Sequence, residues 1–128
     1  MIKEIVKICG LDKDEILSKL KGFEGYGVEF SVEEDCLDAT ITMRSNASRE
    51  VFETIKSRVY NVFEQEVYSA AEGSLEEIAA RLLKMNNRTL AVGESLTGGE
   101  ICSRLTGIAG ISANFYEGIV CYNRASKV

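Results

Sequence analysis

Residues 89–99 read TLAVGESLTGG, and the architecture of the second half of the chain is predicted from this segment. The run from Thr89 to Val92 is β-prone, and Gly93, Gly98 and Gly99 follow it before a helical stretch that continues through Leu105. A strand, a glycine-bearing turn and a helix in this order direct one side chain and several backbone N–H groups at one point. A plain strand-to-helix connection has the same local pattern, so the motif alone names no enzyme.

A second strand is predicted at residues 118–122, where GIVCY forms a short apolar run bounded by turn residues. Such a run is typical of a buried strand in a parallel sheet, so residues 89–122 are interpreted as a βαβ unit. Its two strands would end at the same edge, carrying Ser95 and Tyr122, with Lys127 just beyond.

The composition limits the chemistry available at this edge. The chain has no histidine, which removes the most frequent general base. A reactive serine would therefore need a lysine, a tyrosine or a carboxylate to activate it. Four scattered cysteines (Cys9, Cys36, Cys102 and Cys121) form no metal-ligand pattern and are interpreted as reduced thiols.

The first 72 residues predict a βαββα order. A strand ends near Gly10, a capping box of Asp12 and Glu15 opens a helix, and a second, amphipathic helix runs from about Ser48. Between the helices, two alternating segments predict a hairpin with one buried face; their apolar residues are Val28, Phe30, Val32, Leu37, Ala39, Ile41 and Met43. The G-x-x-G at residues 22–25 is interpreted as a turn.

A domain boundary is predicted near Gly73, ahead of a helix opened by a capping box of Ser74 and Glu77. Residues 1–72 hold 15 acidic against 9 basic side chains, so we expect no nucleic-acid partner there. No apolar run is long enough to span a membrane, and the N-terminus lacks a signal-peptide pattern. We expect no membrane partner and a cytoplasmic protein.

Two segments, GESLTGG at residues 93–99 and GIVCYNRASK at residues 118–127, resemble the CinA family. Its members typically carry A-E-S-C-T-G-G and G-V-V-A-Y-S-N-x-A-K at these places. The resemblance implies an α+β KH-like small domain (βαββα) at residues 1–72. Residues 73–128 would be the βαβ start of an α/β nicotinamide-nucleotide amidase domain, incomplete at its end.

The resemblance also implies a site and a substrate. Ser95 would be the nucleophile, and Tyr122 and Lys127 would complete the catalytic group, with roles that could be exchanged. The oxyanion would be stabilised by the backbone amides of Leu96, Thr97, Gly98 and Gly99. The implied substrate is a pyridine nucleotide, nicotinamide mononucleotide, with no metal and no organic cofactor.

The departures of the chain from the family pattern include three that affect the fit of a substrate more than the reaction type. Leu96 replaces a cysteine, Ala109 a proline and Glu117 a glycine. Because the sequence stops one residue after Lys127, we expect a solvated base and impaired amidase activity. The alternative is a non-catalytic folding or oligomerisation module. An open sheet edge also predicts a homo-oligomer.

Overall fold

The computed structural model describes residues 1–35 and 38–127. The chain divides into two compact units, Met1–Glu72 and Gly73–Val128, and each is described by itself. The hairpin strand residue predicted at Leu37 and the predicted free thiol of Cys36 lie outside the described residues.

The first unit is a four-stranded antiparallel sheet with two α-helices. Its elements are β1 (Ile2–Cys9), α1 (Lys13–Leu20), β2 (Val28–Glu34), β3 (Asp38–Ser45), α2 (Arg49–Val62) and β4 (Val67–Ser69). The strands lie in the order β2-β3-β1-β4, and each neighbouring pair is antiparallel. This is the split βαβ arrangement of ferredoxin-like units. The first five elements match the predicted βαββα order, and β4 is added to it.

Sequence patterning missed β4 because the strand has three residues, too few to show alternation. It pairs with β1 through Ser69 opposite Lys7, and the register shifts at the next residue. The Tyr68 hydroxyl donates a hydrogen bond to the Asp38 carboxylate, which also lies 3.7 Å from the Lys7 ammonium. These side-chain contacts tie the short edge strand to the sheet.

The core of this unit follows from period-two alternation on its strands. The register places Val6 opposite Ile41 and Ile8 opposite Ala39, so apolar side chains from β1 and β3 share one face. Helix α1 contributes Ile16 and Leu20 to the same cluster, and helix α2 contributes Phe52, Ile55 and Val59. The buried members are Val6, Ile8, Ile16, Leu20, Phe23, Val28, Val32, Ala39, Ile41, Met43, Phe52, Ile55, Val59 and Phe63.

Both predicted capping boxes are present. The Glu15 N–H donates to Asp12 at 2.9 Å, and the Asp12 N–H donates to the Glu15 carboxylate at 3.0 Å. Ser74 and Glu77 exchange the equivalent bonds at 3.3 and 2.7 Å. Each box satisfies backbone donors that the first helical turn leaves without partners.

The second unit contains two helices and a two-stranded parallel sheet. Its elements are α3 (Leu75–Met85), β5 (Leu90–Glu94), α4 (Glu100–Thr106) and β6 (Phe115–Val120), with 3₁₀ turns at Ile111–Ala113 and Arg124–Lys127. The predicted parallel pairing of the two strands is confirmed. The second strand begins three residues earlier than predicted and ends at Val120. The pairing of Phe115 with Leu90 recruits the segment 115–117, whose polar and aromatic residues carry no apolar run.

This unit buries few apolar side chains. Among its described residues, the buried ones are Ile78, Leu105 and Ile111, whereas Leu82, Met85 and Tyr116 are exposed. On α3 the buried apolar side chain is Ile78. Backbone and polar interactions must supply much of the order in this unit.

None of the helices in the described ranges combines the length and the apolar character needed to cross a bilayer.

We predict that Phe52→Ala lowers the free energy of unfolding of the first unit by about 3–5 kcal/mol, because it opens a cavity in a fully buried cluster. Val51→Ala, at the adjacent and 40% exposed position, should change it by less than about 0.5 kcal/mol. Urea unfolding followed by circular dichroism measures both values. Equal effects of the two substitutions would contradict the described core.

Candidate active site

The carboxyl ends of β5 and β6 lie side by side and carry two of the predicted site residues. Glu94 pairs with Val120 at the end of the parallel ladder, and the Cys121 N–H donates to the Glu94 carbonyl at 2.7 Å. Ser95 follows Glu94 directly, and Tyr122 follows Cys121. Both therefore leave the sheet at the same edge, where open α/β sheets place ligands.

Lys127 is the last residue of the 3₁₀ turn that follows β6. Asn123 anchors this turn: its side-chain oxygen accepts the Ala125 N–H at 2.9 Å, and its carbonyl accepts the Ser126 hydroxyl at 2.7 Å. Ser95 is half-buried, whereas Tyr122 and Lys127 are exposed. Within the described residues, no hydrogen bond joins Ser95 to Tyr122 or Lys127.

The turn after Ser95 depends on two glycines with left-handed backbone. Gly98 has φ 61° and Gly99 has φ 104°, conformations that are strained for other residues. The Gly98 N–H donates to the Ser95 carbonyl at 3.1 Å, and this bond closes the turn. A Cβ at Gly99 would lie 3.4 Å from the Val120 side chain, so the turn packs against the end of β6.

Glu94 is buried, with 4% of its surface exposed, and its carboxylate faces the start of α4. One carboxylate oxygen accepts the N–H groups of Gly99 at 3.1 Å and of Ile101 at 2.9 Å. The other oxygen accepts the Cys102 N–H at 2.9 Å. The side chain thus takes up backbone donors that the beginning of a helix leaves without partners.

Burial is the largest influence on the pKa of Glu94 and raises it, because a charge is removed from water. Hydrogen bonds from the Cys102 thiol and N–H, the Ile101 N–H and the Thr97 hydroxyl act in the opposite direction. Together they outweigh burial and lower the pKa of Glu94 from 4.5 to about 2. Glu94 is therefore a carboxylate at neutral pH.

Four backbone N–H groups were predicted to stabilise an oxyanion, and the structure separates them into two that have a protein acceptor and two that do not. The N–H groups of Gly98 and Gly99 already donate to the Ser95 carbonyl and to Glu94. In the part of the chain that the structure describes, the N–H groups of Leu96 and Thr97 donate to no protein acceptor. Leu96 and Thr97 are therefore the members of the predicted set with N–H groups open to a ligand.

Helix α4 packs closely on β6 because residue 118 has no side chain. A Cβ at Gly118 would overlap the Cys102 sulfur, and it would lie 3.2 Å from the Phe115 ring. The thiol also donates to Glu94, and this bond raises the pKa of Cys102, with burial adding to the effect. Cys102 is thus confined and held in its protonated form.

An ion pair connects α4 to α3. The Arg104 guanidinium donates to the Glu76 carboxylate at 2.8 Å, and both side chains are partly buried. This bond is the main cause that lowers the pKa of Glu76. Contacts with β5, β6 and α3 therefore fix the position of α4.

Sequence reasoning missed Glu94 and Cys102 as parts of this site. A signal for Glu94 was present, because period-two alternation puts it on the same face as Leu90 and Val92. A carboxylate in the inward phase, six residues before the start of a helix, indicates a buried partner for that helix. No comparable pattern marks Cys102, whose position depends on the packing of α4 against Gly118.

We predict that the stability difference between the wild-type chain and Glu94→Gln is largest near neutral pH and shrinks as the pH falls from 4.5 towards 2. The folded state lowers the pKa of Glu94, so its contribution is complete above the unfolded value and is lost as the carboxylate becomes protonated. Urea midpoints between pH 7 and pH 2 measure the difference. The control is Glu100→Gln, at an exposed acid that begins α4. A difference that does not depend on pH would contradict the assignment.

We predict that Gly118→Ala destabilises the second unit by about 1–3 kcal/mol, because its methyl group overlaps the Cys102 sulfur. Gly93→Ala in the neighbouring strand meets no atom within 4 Å and serves as the matched control. Combining Gly118→Ala with Cys102→Ala should recover part of the loss. A Gly118→Ala chain as stable as the control would contradict this packing.

Comparison with known proteins identifies relatives of this chain. The family model of the CinA C-terminal domain matches residues 72–128. A competence-damage inducible protein of Clostridium botulinum (strain ATCC 19397, Type A) is 34% identical over 91 residues, which cover 69% of this chain and 22% of that protein. A protein of the same name from Thermoanaerobacter pseudethanolicus is 30% identical over 129 residues, which cover 96% of this chain and 31% of that protein.

A third relative of the same name, from Clostridium tetani, is 27% identical over 135 residues and aligns with 100% of this chain. The chain spans 22%, 31% and 33% of the lengths of these three relatives. Two of the alignments extend through the first unit as well as the second. With the domain match at residues 72–128 and these relatives, the chain belongs to the CinA family.

Proposed function

We propose that the second unit carries the chemistry of a serine-dependent amidase that acts on the carboxamide of nicotinamide mononucleotide. The observation that carries the proposal is the edge where β5 and β6 end together. Ser95 and Tyr122 follow the last paired residues of these strands, and the N–H groups of Leu96 and Thr97 are open at the same turn. A nucleophile beside open backbone donors is what acyl transfer requires.

In the proposed reaction the Ser95 oxygen attacks the amide carbon, and Lys127 accepts the serine proton. The carbon–nitrogen bond breaks, Lys127 returns the proton to the leaving nitrogen, and ammonia departs. Water then attacks the acyl-serine ester by the same route and releases the carboxylate. Tyr122 orients the serine or the lysine, and the roles of Tyr122 and Lys127 can be exchanged in this scheme. No metal or organic cofactor is part of it.

The N–H groups of Leu96 and Thr97 would stabilise the negative charge that develops on the carbonyl oxygen. Gly98 and Gly99 serve the turn instead, because left-handed backbone is needed there and their N–H groups are already bonded. The exposed Leu96 side chain, in place of the family's cysteine, would contact the substrate from the solvent side.

Tyr122 and Lys127 are exposed, so a bound nucleotide would have to cover them before a lysine could act as a base. This exposure favours a second candidate, a non-catalytic folding or oligomerisation module. The clustered core of the first unit and the two-stranded sheet of the second, which leaves strand edges for pairing, support that alternative and a homo-oligomer.

We propose that the chain has neither a nucleic-acid partner nor a membrane partner. We also propose that residues 1–72 form a KH-like domain. Its G-x-x-G segment lies in the 3₁₀ turn and the following turn between α1 and β2. The segment was predicted to be a turn. An acid at Glu24 occupies the middle of that segment, which disfavours phosphate contacts.

We predict that the 128-residue chain releases ammonia from nicotinamide mononucleotide slowly, because its proposed base Lys127 is exposed, and that Ser95→Ala lowers this turnover by at least about 1,000-fold, because the nucleophile is lost. Lys127→Met should lower it by about 100- to 10,000-fold if the lysine is the base. A colorimetric ammonia assay at high enzyme concentration measures these rates.

The matched control is Ser103→Ala, which removes an exposed hydroxyl from α4 and should leave turnover unchanged. Turnover that survives Ser95→Ala would refute the proposed nucleophile. No turnover by any of these chains would favour the non-catalytic module.

A further inference from the structure

The Glu94 carboxylate is a buried, ionised group that the proposed reaction does not use. It is the residue immediately before the proposed nucleophile, yet its side chain accepts hydrogen bonds from the start of α4. Buried charges are costly unless they are fully bonded, so a carboxylate at this place calls for a specific role.

We propose that Glu94 is a positioning residue that holds both ends of the turn 95–99 and so fixes the Leu96 and Thr97 N–H groups beside Ser95. This inference rests on the proposed function for its catalytic consequence. The structural claim, that Glu94 sets the shape of the turn, is supported by its hydrogen bonds and does not depend on the reaction.

Glu94 holds the two ends of the turn with different groups. Its backbone carbonyl accepts the Cys121 N–H at 2.7 Å, which locks the residue before Ser95 to the end of β6. Its side chain accepts the Gly99 N–H at 3.1 Å, which locks the last residue of the turn. The intervening residues are therefore fixed between two bonds to the same residue.

The same bonds also determine which N–H groups remain open. The N–H groups of Gly99, Ile101 and Cys102, which would otherwise be the natural anion donors at the start of α4, are occupied by the carboxylate. The negative charge of Glu94 further repels a second anion from this end of the helix. A developing oxyanion is thereby directed to Leu96 and Thr97, next to the attacking oxygen.

A carboxylate meets these demands better than the isosteric amide. Two oxygens accept three N–H groups and, in addition, the Cys102 thiol. A glutamine has one oxygen, and its NH₂ group would face at least one of these backbone N–H groups, which cannot accept from it. Glu94→Gln must therefore break at least one of these bonds at nearly constant volume.

The test compares the full chain with Glu94→Gln, Glu94→Asp and the control Glu100→Gln, which removes an exposed charge from the first residue of α4. In Glu94→Gln, hydrogen exchange at the amides of Gly99, Ile101 and Cys102 should accelerate at least about tenfold. Cys102 should react faster with iodoacetamide, because the loss of the carboxylate lowers its pKa; Cys121 serves as the internal reference. Glu94→Asp, which keeps the charge on a shorter stem, should give intermediate values.

The catalytic readout is the separation of kcat from KM for nicotinamide mononucleotide. Misplaced N–H groups should lower kcat by about 100-fold in Glu94→Gln and leave KM within about twofold, because the contact forms in the transition state. Glu94→Asp should have a kcat between those of Glu94→Gln and the wild-type chain. The control Glu100→Gln should have the kcat of the wild-type chain. A merely destabilised chain would instead lose active protein in proportion to its unfolded fraction, with kcat per folded molecule unchanged.

The outcomes separate this inference from the proposed function. If Ser95→Ala abolishes turnover while Glu94→Gln retains it, the serine mechanism stands and the positioning role is overturned. If none of the chains hydrolyses the nucleotide, the proposed function fails, and amide exchange and Cys102 alkylation alone decide whether Glu94 shapes the turn. Unchanged exchange at Gly99, Ile101 and Cys102 in Glu94→Gln overturns the inference in either case.

Discussion

The contact between the buried Glu94 carboxylate and the start of α4 is the constraint on which the second unit depends. The side chain accepts from Gly99, Ile101 and Cys102, while its own carbonyl ends the ladder with β6. One residue thus joins a strand, a helix and the neighbouring strand. The cost of burying its charge is offset by several directed hydrogen bonds, and those bonds leave little freedom to the turn that bears Ser95.

The two units are stabilised by different kinds of interaction. The first has a continuous apolar cluster built by alternation on β1 and β3 and by one face of α2. The second buries few apolar side chains and relies on backbone pairing, the Glu94 bonds and the ion pair between Glu76 and Arg104. Apolar burial tolerates exchange among similar side chains, whereas a bonded carboxylate tolerates almost none. The site therefore lies in the unit whose geometry is the less adaptable.

Sequence patterning predicted the features that repeat over several residues. Alternation at Val28 to Val32 and at Ala39 to Met43 gave the hairpin, and the pairs Asp12 with Glu15 and Ser74 with Glu77 gave two helix starts. Features set by a few long-range contacts were missed or displaced. Strand β4 is too short for a period, β6 begins where pairing with Leu90 places it, and the contact of Cys102 with Gly118 joins positions far apart in sequence. The edge that carries Ser95 and Tyr122 was predictable because strand direction alone places it.

The close approach of α4 to β6 has a consequence for how this chain can change over generations. The sulfur at position 102 fills the space that a side chain at position 118 would need, so the residues accepted at 118 depend on the residue at 102. A larger residue can be accepted at 118 only after 102 has become smaller, and the reverse order passes through a poorly folded intermediate. A smaller residue at 102 should therefore precede a larger one at 118 wherever the helix keeps its distance from the strand.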